Sequence, residues 1–270
     1  MPVQVILASR RREELERVKG DLQTLQPPPN SGSSGVRFHE PKIAILDLGT
    51  EDNDQLEKTA EEIVRLHGHI DILVNNAGIS SRAAALTTAM AVDRQLILVN
   101  YLNQIALTKV ALRTMVLKQD SSSISERGHI VCVSSVQGRM AIPGRSSYSA
   151  SKHAVQAYYD SLRAELSALS AEDAASRRPV DVTVISPGYI RTNLSLNAMT
   201  GDGRRHARMD ATTAAGLEPS VVAERVLEAV LNREADLVLS PLLPKLLIIV
   251  RALCPPLYFL AMKVYAKKQH

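Results

Sequence analysis

Residues 130–152 read I-V-C-V-S-S-V-Q-G-R-M-A-I-P-G-R-S-S-Y-S-A-S-K, and this stretch decides how the rest of the chain is interpreted. Its first four residues form an apolar, mostly β-branched run, which predicts a buried strand ending at two serines. Glycine and proline then interrupt regular structure, and a helix is expected to begin just before Tyr148. Tyr148 and Lys152 are four residues apart and therefore share one helix face. Ser135 lies at the carboxyl end of the strand, so the three side chains are expected to meet.

A hydroxyl, a phenol and an ammonium at one point suit proton transfer to or from an alcohol or carbonyl oxygen. A nearby ammonium favours the phenolate form of a tyrosine, which is otherwise a poor base at neutral pH. Ser135 would orient the substrate oxygen. A lone Y-x-x-x-K is typical of an ordinary, partly exposed pair. The serine thirteen positions before the tyrosine favours the catalytic interpretation here.

The composition limits the classes of function. A chain of 270 residues predicts one large α/β domain with a substantial core. The formal net charge of +4 is modest and mostly scattered, which argues against nucleic-acid binding. The two cysteines, Cys132 and Cys254, show no zinc-like spacing, so we expect a reducing compartment, no disulfide and no metal site. We also expect no signal peptide and no transmembrane helix.

Apolar runs that predict strands alternate with helical patterns along the chain. Strands are expected at 3–8, 43–46, 70–74, 130–133 and 180–185. Helices are expected after the first strand, at 56–66, at 91–117, and from before Tyr148 to about residue 168. Loops rich in Pro, Gly or Ser are expected at 27–35 and 121–126. This alternation implies right-handed crossovers and a doubly wound parallel sheet, whose ligands lie beyond the carboxyl ends of the strands.

The serine, the Y-S-A-S-K motif and the downstream P-G resemble the active-site segment of the short-chain dehydrogenases/reductases, and the resemblance extends over about 3–239. It implies a Rossmann-like, doubly wound parallel sheet. It also implies hydride transfer between a nicotinamide and a ketone or secondary alcohol. In that reaction Tyr148 would exchange the proton, Lys152 would assist it and bind the ribose, and Ser135 would bind the substrate.

The resemblance also implies roles for residues outside that stretch. Asn100, in L-V-N-Y, would complete the catalytic set by linking the lysine to solvent. The expected cofactor contacts are spread over several strand ends. Asp47 would bond the adenine, 75–78 would lie beside the adenosine half, and the P-G-x-x-x-T segment would hold the carboxamide. The cofactor-binding residues implied in this way are Arg10, Asp47, Asn75, Ala77, Gly78, Tyr148, Lys152, Pro187, Gly188 and Thr192.

The residues after the first predicted strand indicate which cofactor is preferred. Relatives that use NAD often place an acidic residue there to bind the ribose 2′-hydroxyl. This chain has Ser9 and Arg10 instead, and an arginine suits a 2′-phosphate. The sequence therefore favours NADP(H) over NAD(H). The alternative is a solvated group of charges at the start of a helix.

The chain departs from the family in one respect. No T-G-x-x-x-G-x-G loop precedes the first visible strand, and no such pattern occurs elsewhere. We therefore expect the domain at 1–240 to lack the first strand–loop–helix unit, with two strand edges left unpaired. Two explanations compete: a truncated gene model or splice form of a complete enzyme, or a real shortened product that is unstable or non-catalytic. The sequence favours the first, because the downstream set of site residues is intact. The alternative function is a non-catalytic interaction protein that retains the fold.

The segment 241–270 is apolar and basic, and proline, lysine and arginine interrupt it. It could lie on a membrane surface, cover an apolar substrate pocket, or pack on the domain or on a partner subunit in a homo-oligomer. Its apolar character hints at a lipid-like small-molecule substrate. The terminal K-K-Q-H resembles an endoplasmic-reticulum retrieval signal. The resemblance implies an N-terminal anchor in that membrane, and a cytoplasmic location if the anchor is absent.

Overall fold

The computed structural model describes residues 4–24, 39–117, 127–172 and 177–267. The two loops expected at 27–35 and 121–126 lie outside this part of the chain. The strands are β1 (Ile6–Ser9), β2 (Lys42–Ile45), β3 (Ile72–Asn75), β4 (Ser81–Arg82), β5 (Gly128–Val133), β6 (Val180–Pro187), β7 (Met199–Thr200) and β8 (Asp236–Leu239). The helices are α1 (Arg12–Thr24), α2 (Asn53–His67), α3 (Met90–Ile97), α4 (Asn103–Met115), α5 (Ser146–Glu172), α6 (Ala211–Ala214), α7 (Pro219–Leu231), α8 (Leu242–Leu253) and α9 (Pro255–Lys267).

The strands pair in parallel, as the alternation predicts. Four of them form one sheet in the order β3-β5-β6-β8, while β1 pairs with β2 and the short β4 pairs with β7. Within the described residues, no ladder joins the β1–β2 pair to β3. Ile72 and Val74 of β3 are each about half exposed, although both are apolar. This break in the sheet matches the two unpaired strand edges predicted from the sequence.

Strand β5, inside the four-stranded sheet, is covered on both faces. On one face, Ile130 and Cys132 of β5 pack with Val155 and Tyr159 of α5. On the other face, Val131 packs in a separate cluster with residues of α7 and β8. A strand covered on both faces has an apolar residue at nearly every position, which explains the continuous run 130–133. The doubly wound Rossmann-like class is confirmed.

The prediction of one long helix at 91–117 was wrong in its middle. The structure divides that stretch into α3 and α4, with a π-helical turn at Leu98–Leu102 between them. A π turn inserts one extra residue but leaves the apolar pattern helical, so periodicity alone does not reveal it. The turn carries Asn100, which is buried.

The last two helices form a pair attached to the edge of the sheet that β8 occupies. Tyr258 of α9 is buried, and its hydroxyl donates to the carbonyl of Ala141. Around it, Val136, Met140 and Val238 form an apolar cluster with the inner faces of both helices. No helix within the described ranges combines the length and the apolar character that crossing a bilayer requires.

Candidate active site

Ser135 lies at the carboxyl end of β5, where the chain turns into a short 3-10 turn, Val136–Gly138. Its hydroxyl accepts a hydrogen bond from the backbone N–H of Gln137 at 3.1 Å. The same hydroxyl donates to the carbonyl of Pro187, at the end of β6, at 3.5 Å. Ser135 is buried and lies between the ends of two neighbouring strands, which is the edge of a parallel sheet where ligands bind.

Tyr148 and Lys152 are both buried in the first turns of α5. The tyrosine ring packs against Val92 and Leu96 of α3. The Nζ atom of Lys152 donates to the carbonyl of Val133 at 2.8 Å, and this contact ties the lysine to the strand that carries Ser135. An ammonium has three donors, and the structure pairs one of them with a described residue. The lysine is therefore held in place and still has donors for a ligand.

Asn100 connects the loop after β3 to α5. Its Oδ1 accepts from the backbone N–H of Ile79 at 2.8 Å, and its Nδ2 donates to the carbonyl of the same residue at 2.9 Å. The Nδ2 atom also donates to Ser151 Oγ at 3.0 Å, and Ser151 donates to the carbonyl of Tyr148 at 2.7 Å. The amide therefore positions the turn of α5 that contains Tyr148.

The segment 75–78 divides into a buried and an open part. Asn75 is buried, and its Nδ2 donates to Thr108 Oγ1 and to the Tyr159 hydroxyl, both at 2.8 Å. Ala77 and Gly78 are exposed. A Cβ added to Gly78 would lie 3.4 Å from Asn100 Oδ1 and 3.7 Å from Lys152 Nζ, so this glycine lies next to the lysine.

Three residues of this network were not identified from the sequence. Thr108 and Tyr159 hold the Asn75 amide, and Gln104 donates from Nε2 to the carbonyl of Ala77 at 2.6 Å. Burial raises the pKa of Tyr159 well above its usual range, so this phenol stays protonated and acts as a structural donor or acceptor. The only available sequence indication was their helical spacing, which is equally typical of core positions.

The P-G-x-x-x-T segment follows β6 next to Ser135. Pro187 is buried, and the N–H of Gly188 donates to the carbonyl of Leu239 at 2.8 Å. Thr192 donates from its backbone N–H to Ile190 O at 2.8 Å, while its hydroxyl accepts from Leu194 N at 3.4 Å. The segment therefore leaves the carboxyl end of β6 as a series of turns.

Arg10 and Asp47, two of the residues predicted to contact the adenosine half, follow the strands of the separate two-stranded sheet. Arg10 follows β1 and is exposed; its side chain makes no hydrogen bond or ion pair within the described residues. Asp47 lies just beyond β2 and accepts from the N–H of Gly49 at 2.8 Å. Both sit at the carboxyl ends of their strands, as predicted. No described ladder connects their sheet to the one that carries Ser135.

A charged cluster beside α5 was also missed by the sequence analysis. Asp210 accepts from Arg82 at 2.6 Å and 2.7 Å and from Arg145 at 3.2 Å, and His206 lies 3.4 Å away. Burial favours the neutral carboxyl, but the hydrogen bond and charge of Arg82, with Arg145, outweigh it and lower the pKa of Asp210. A cavity of about 650 Å³ adjoins this cluster and is lined partly by Tyr265 of α9.

Residues 2–202 match the family model described as short chain dehydrogenase. A "Dehydrogenase/reductase SDR family protein 7-like" of Anopheles gambiae is 45% identical over 264 residues, which cover 98% of this chain and 75% of the relative. A "Dehydrogenase/reductase SDR family member 7B" of Xenopus laevis is 44% identical over 254 residues, 94% of this chain and 72% of the relative. The amino-acid sequence of the active-site stretch also predicts a similarity to member 7B, and the comparison confirms it.

Solved structures share the fold. A short-chain dehydrogenase from Streptomyces avermitilis has a TM-score of 0.68 at 20% identity, covering 98% of this chain and 88% of that protein. One from Shigella flexneri, complexed with NADP, has a TM-score of 0.66 at 22% identity, covering 87% and 85%. One from Burkholderia phymatum, in complex with NAD, has a TM-score of 0.65 at 20% identity, covering 87% and 79%.

Proposed function

This chain belongs to the short-chain dehydrogenase family of oxidoreductases, and from that premise we propose that it interconverts a ketone and a secondary alcohol with a nicotinamide cofactor. The observation that carries the proposal is the burial of Ser135, Tyr148 and Lys152, together with the hydrogen bond from Lys152 to the last residue of the strand that leads to Ser135. The cofactor supplies the hydride when it is bound, and the protein supplies position and proton transfer.

Each residue has a separate part in the proposed reaction. Ser135 would orient the substrate oxygen, and Tyr148 would donate its proton to that oxygen in reduction or accept one in oxidation. Lys152 would place a positive charge beside the phenol and bind the ribose with its remaining donors. Asn100 is proposed as a positioning residue, because its amide holds the turn that carries Tyr148 through Ser151.

The described residues fit the nicotinamide half of a dinucleotide. Gly78 lies beside Lys152, and the segment with Pro187, Gly188 and Thr192 begins next to Ser135. Lys152 and the segment 187–192 would hold the nicotinamide and its ribose, and 75–78 would lie beside the adenosine half. Arg10 and Asp47 would hold the adenosine end. The exposed guanidinium of Arg10 supports NADP(H) over NAD(H), because it could pair with a 2′-phosphate.

We further propose that the substrate is a lipid-like ketone or alcohol and that the protein is located at the endoplasmic-reticulum membrane. The support comes from the C-terminal helix pair, which exposes many apolar side chains and contacts the loop between Ser135 and Tyr148. The cavity of about 650 Å³ also extends from α9 to residues immediately before Tyr148. The terminal K-K-Q-H motif supports the location.

The test is turnover of NADPH with a panel of aliphatic ketones, comparing the parent chain with Tyr148→Phe. This change removes the transferable proton and keeps the ring, so we expect a loss of about 10²–10⁴-fold. Tyr158→Phe is the matched control on the same helix, because no described residue bonds its hydroxyl. Turnover by Tyr148→Phe within a few-fold of the parent would contradict the proposal. So would a parent chain that binds NADPH but reduces no ketone.

A further inference from the structure

The pair α8 and α9 has a buried face and an exposed apolar face. Leu242, Leu246, Ile249 and Leu253 of α8 follow each other at spacings of four, three and four residues, so they form one stripe along the helix. All four are between 51% and 81% exposed. The inner side of the same helix contributes Leu247, Ile248 and Val250 to the cluster around Tyr258. One side of α8 therefore packs against the cluster around Tyr258, and the opposite side is exposed.

Helix α9 repeats this arrangement. Leu257, Leu260 and Val264 are spaced by three and four residues, and each is between 50% and 59% exposed. Arg251 of α8 lies 5.2 Å from the ring centroid of Phe259, a cation–π contact that joins the two helices. An exposed apolar area of this extent on a folded chain marks an interaction surface.

The charge of residues 241–270 indicates which kind of partner the exposed apolar faces of α8 and α9 bind. Residues 241–270 contain five of the 32 Lys and Arg residues of the chain and none of its 28 Asp and Glu residues. The other 240 residues therefore carry a formal net charge of −1, and the whole positive excess lies in this segment. Basic side chains beside an apolar stripe are typical of helices that lie on anionic bilayers.

We propose that α8 and α9 form an interfacial element, whose exposed stripes enter the headgroup region of an anionic lipid bilayer while its lysines bind lipid phosphates. The two helices have 12 and 13 residues, or about 18–20 Å each at 1.5 Å per residue, so they lie on the bilayer rather than span it. The inference rests on the proposed function in taking the chain to work at a membrane.

A second copy of the chain is a weaker candidate for the same face. A two-fold dimer brings one surface against itself, so every group on it meets an identical surface. Such a dimer would bring together two segments whose charged side chains are all basic, with no acidic residue in either segment to compensate them. An anionic bilayer complements the same charges and also receives the apolar stripes.

The position of α8 and α9 on the bilayer affects how a substrate reaches the proposed active site. Tyr258 is bonded to Ala141 and packs against Met140, and both of these residues lie in the loop between Ser135 and Tyr148. At the far end of α9, Tyr265 lines the cavity that reaches Ser146. A bilayer bound by this pair lies next to the loop that precedes the proposed catalytic tyrosine, so a lipid-like substrate has a short path from the membrane.

The test is flotation of the full chain with vesicles, without cofactor or substrate. We expect the chain to float with phosphatidylcholine vesicles that contain phosphatidylserine, with about tenfold or greater preference over phosphatidylcholine alone. Replacing Leu246 and Ile249 together by Glu should abolish flotation. Replacing Leu227 and Leu231 of α7 together by Glu is the matched control, because these leucines are also exposed and also lie one turn apart on one face of a helix.

A second pair of variants tests the charge without touching the apolar stripes. Changing Lys263 and Lys267 to Gln should weaken binding to the anionic vesicles, whereas changing Lys58 and Lys109 to Gln should not. Failure of the parent chain to float would overturn the proposal. So would a concentration-dependent dimer that does not float and that the Leu246/Ile249 variant dissociates. Tyr148→Phe should float like the parent, which separates this result from any failure of the proposed reaction.

Discussion

Asn100 and Ile79 are joined by two hydrogen bonds, one in each direction between the side-chain amide and the peptide groups of the loop. The N–H of Ile79 donates to Oδ1 at 2.8 Å, and its carbonyl accepts from Nδ2 at 2.9 Å. The same Nδ2 reaches Ser151 on α5. One side chain in a π turn therefore fixes the loop after β3 relative to the helix that carries Tyr148 and Lys152.

Asn100→Ala should lower both stability and turnover. The change leaves the peptide groups of Ile79 without these partners, and each buried unsatisfied group costs about 1–3 kcal/mol. Urea unfolding measures the first effect and ketone-dependent NADPH oxidation the second. Asn197→Ala is the control, because that exposed side chain makes no hydrogen bond within the described residues. An Asn100→Ala protein with the parent's unfolding midpoint would show that the hydrogen bonds between Asn100 and Ile79 do not stabilise the fold.

The asparagines show how far the sequence could predict the site. The resemblance placed Asn100 in the catalytic set, but its hydrogen bonds to Ile79 and Ser151 depend on a π turn. The apolar pattern of the sequence does not reveal that turn. Asn75 was expected beside the cofactor, and the structure uses its side chain to join β3 to α4 and α5. Those partners are 33 and 84 residues away in sequence, so no local pattern identifies them.

The fold itself was easier to predict, because strand positions and parallel pairing follow from short apolar runs that alternate with helices. The run 130–133 is the clearest example, since both faces of β5 are covered. The close approach of Gly138 to α5 was not predictable. A Cβ there would lie 2.6 Å from both the Lys152 carbonyl oxygen and Ser134 Oγ.

Gly138→Ala should therefore destabilise the protein by about 1–3 kcal/mol and reduce turnover, because the added methyl must push against the backbone of Lys152. Gly20→Ala is the matched control. It lies inside α1 with no atom within 4 Å of an added Cβ, and alanine is the better helix former by about 1 kcal/mol. Thermal unfolding of both variants measures the difference. A Gly138→Ala protein as stable and active as the parent would show that the turn moves freely.

Arg10→Ala should weaken NADPH binding much more than NADH binding. Only NADPH carries the 2′-phosphate, and a charged hydrogen bond contributes about 1.5–3 kcal/mol, which corresponds to about tenfold to hundredfold in affinity. Calorimetric titration of both cofactors measures this change. Arg11→Ala is the neighbouring control, with the same loss of charge. Equal losses of affinity for the two cofactors would show that Arg10 does not bind the 2′-phosphate.

The two cysteines should differ sharply in reactivity. Cys132 is fully buried in β5, and burial raises the pKa of its thiol to about 12, so almost no thiolate forms near neutral pH. Cys254, between α8 and α9, is exposed. A thiol reagent at pH 8 should therefore label one thiol per native chain and two after denaturation. Rapid labelling of both thiols in the native protein would contradict the buried position of β5.

The last prediction concerns Asp210, which holds Arg82 and Arg145 together across 128 and 65 residues of sequence. Asp210→Asn leaves two neighbouring guanidinium groups without their counter-charge, so we expect a loss of about 1–3 kcal/mol at neutral pH. Asp21→Asn is the control: it breaks an exposed ion pair with Arg17, where about 0.3–0.5 kcal/mol is typical. Urea unfolding of both variants measures the loss.

The effect of Asp210→Asn should depend on pH with a definite sign. Because the folded protein lowers the pKa of Asp210, its contribution is complete above the unfolded-state pKa of about 3.9 and is lost as the pH falls through the folded value. The difference in unfolding free energy between parent and variant should therefore stay constant from pH 8 to about pH 5 and shrink below about pH 4. His206 also faces this carboxylate, so the pH series is repeated with His206→Gln to separate its titration. A difference that persists unchanged into acid would mean that the aspartate acts through packing rather than through its charge.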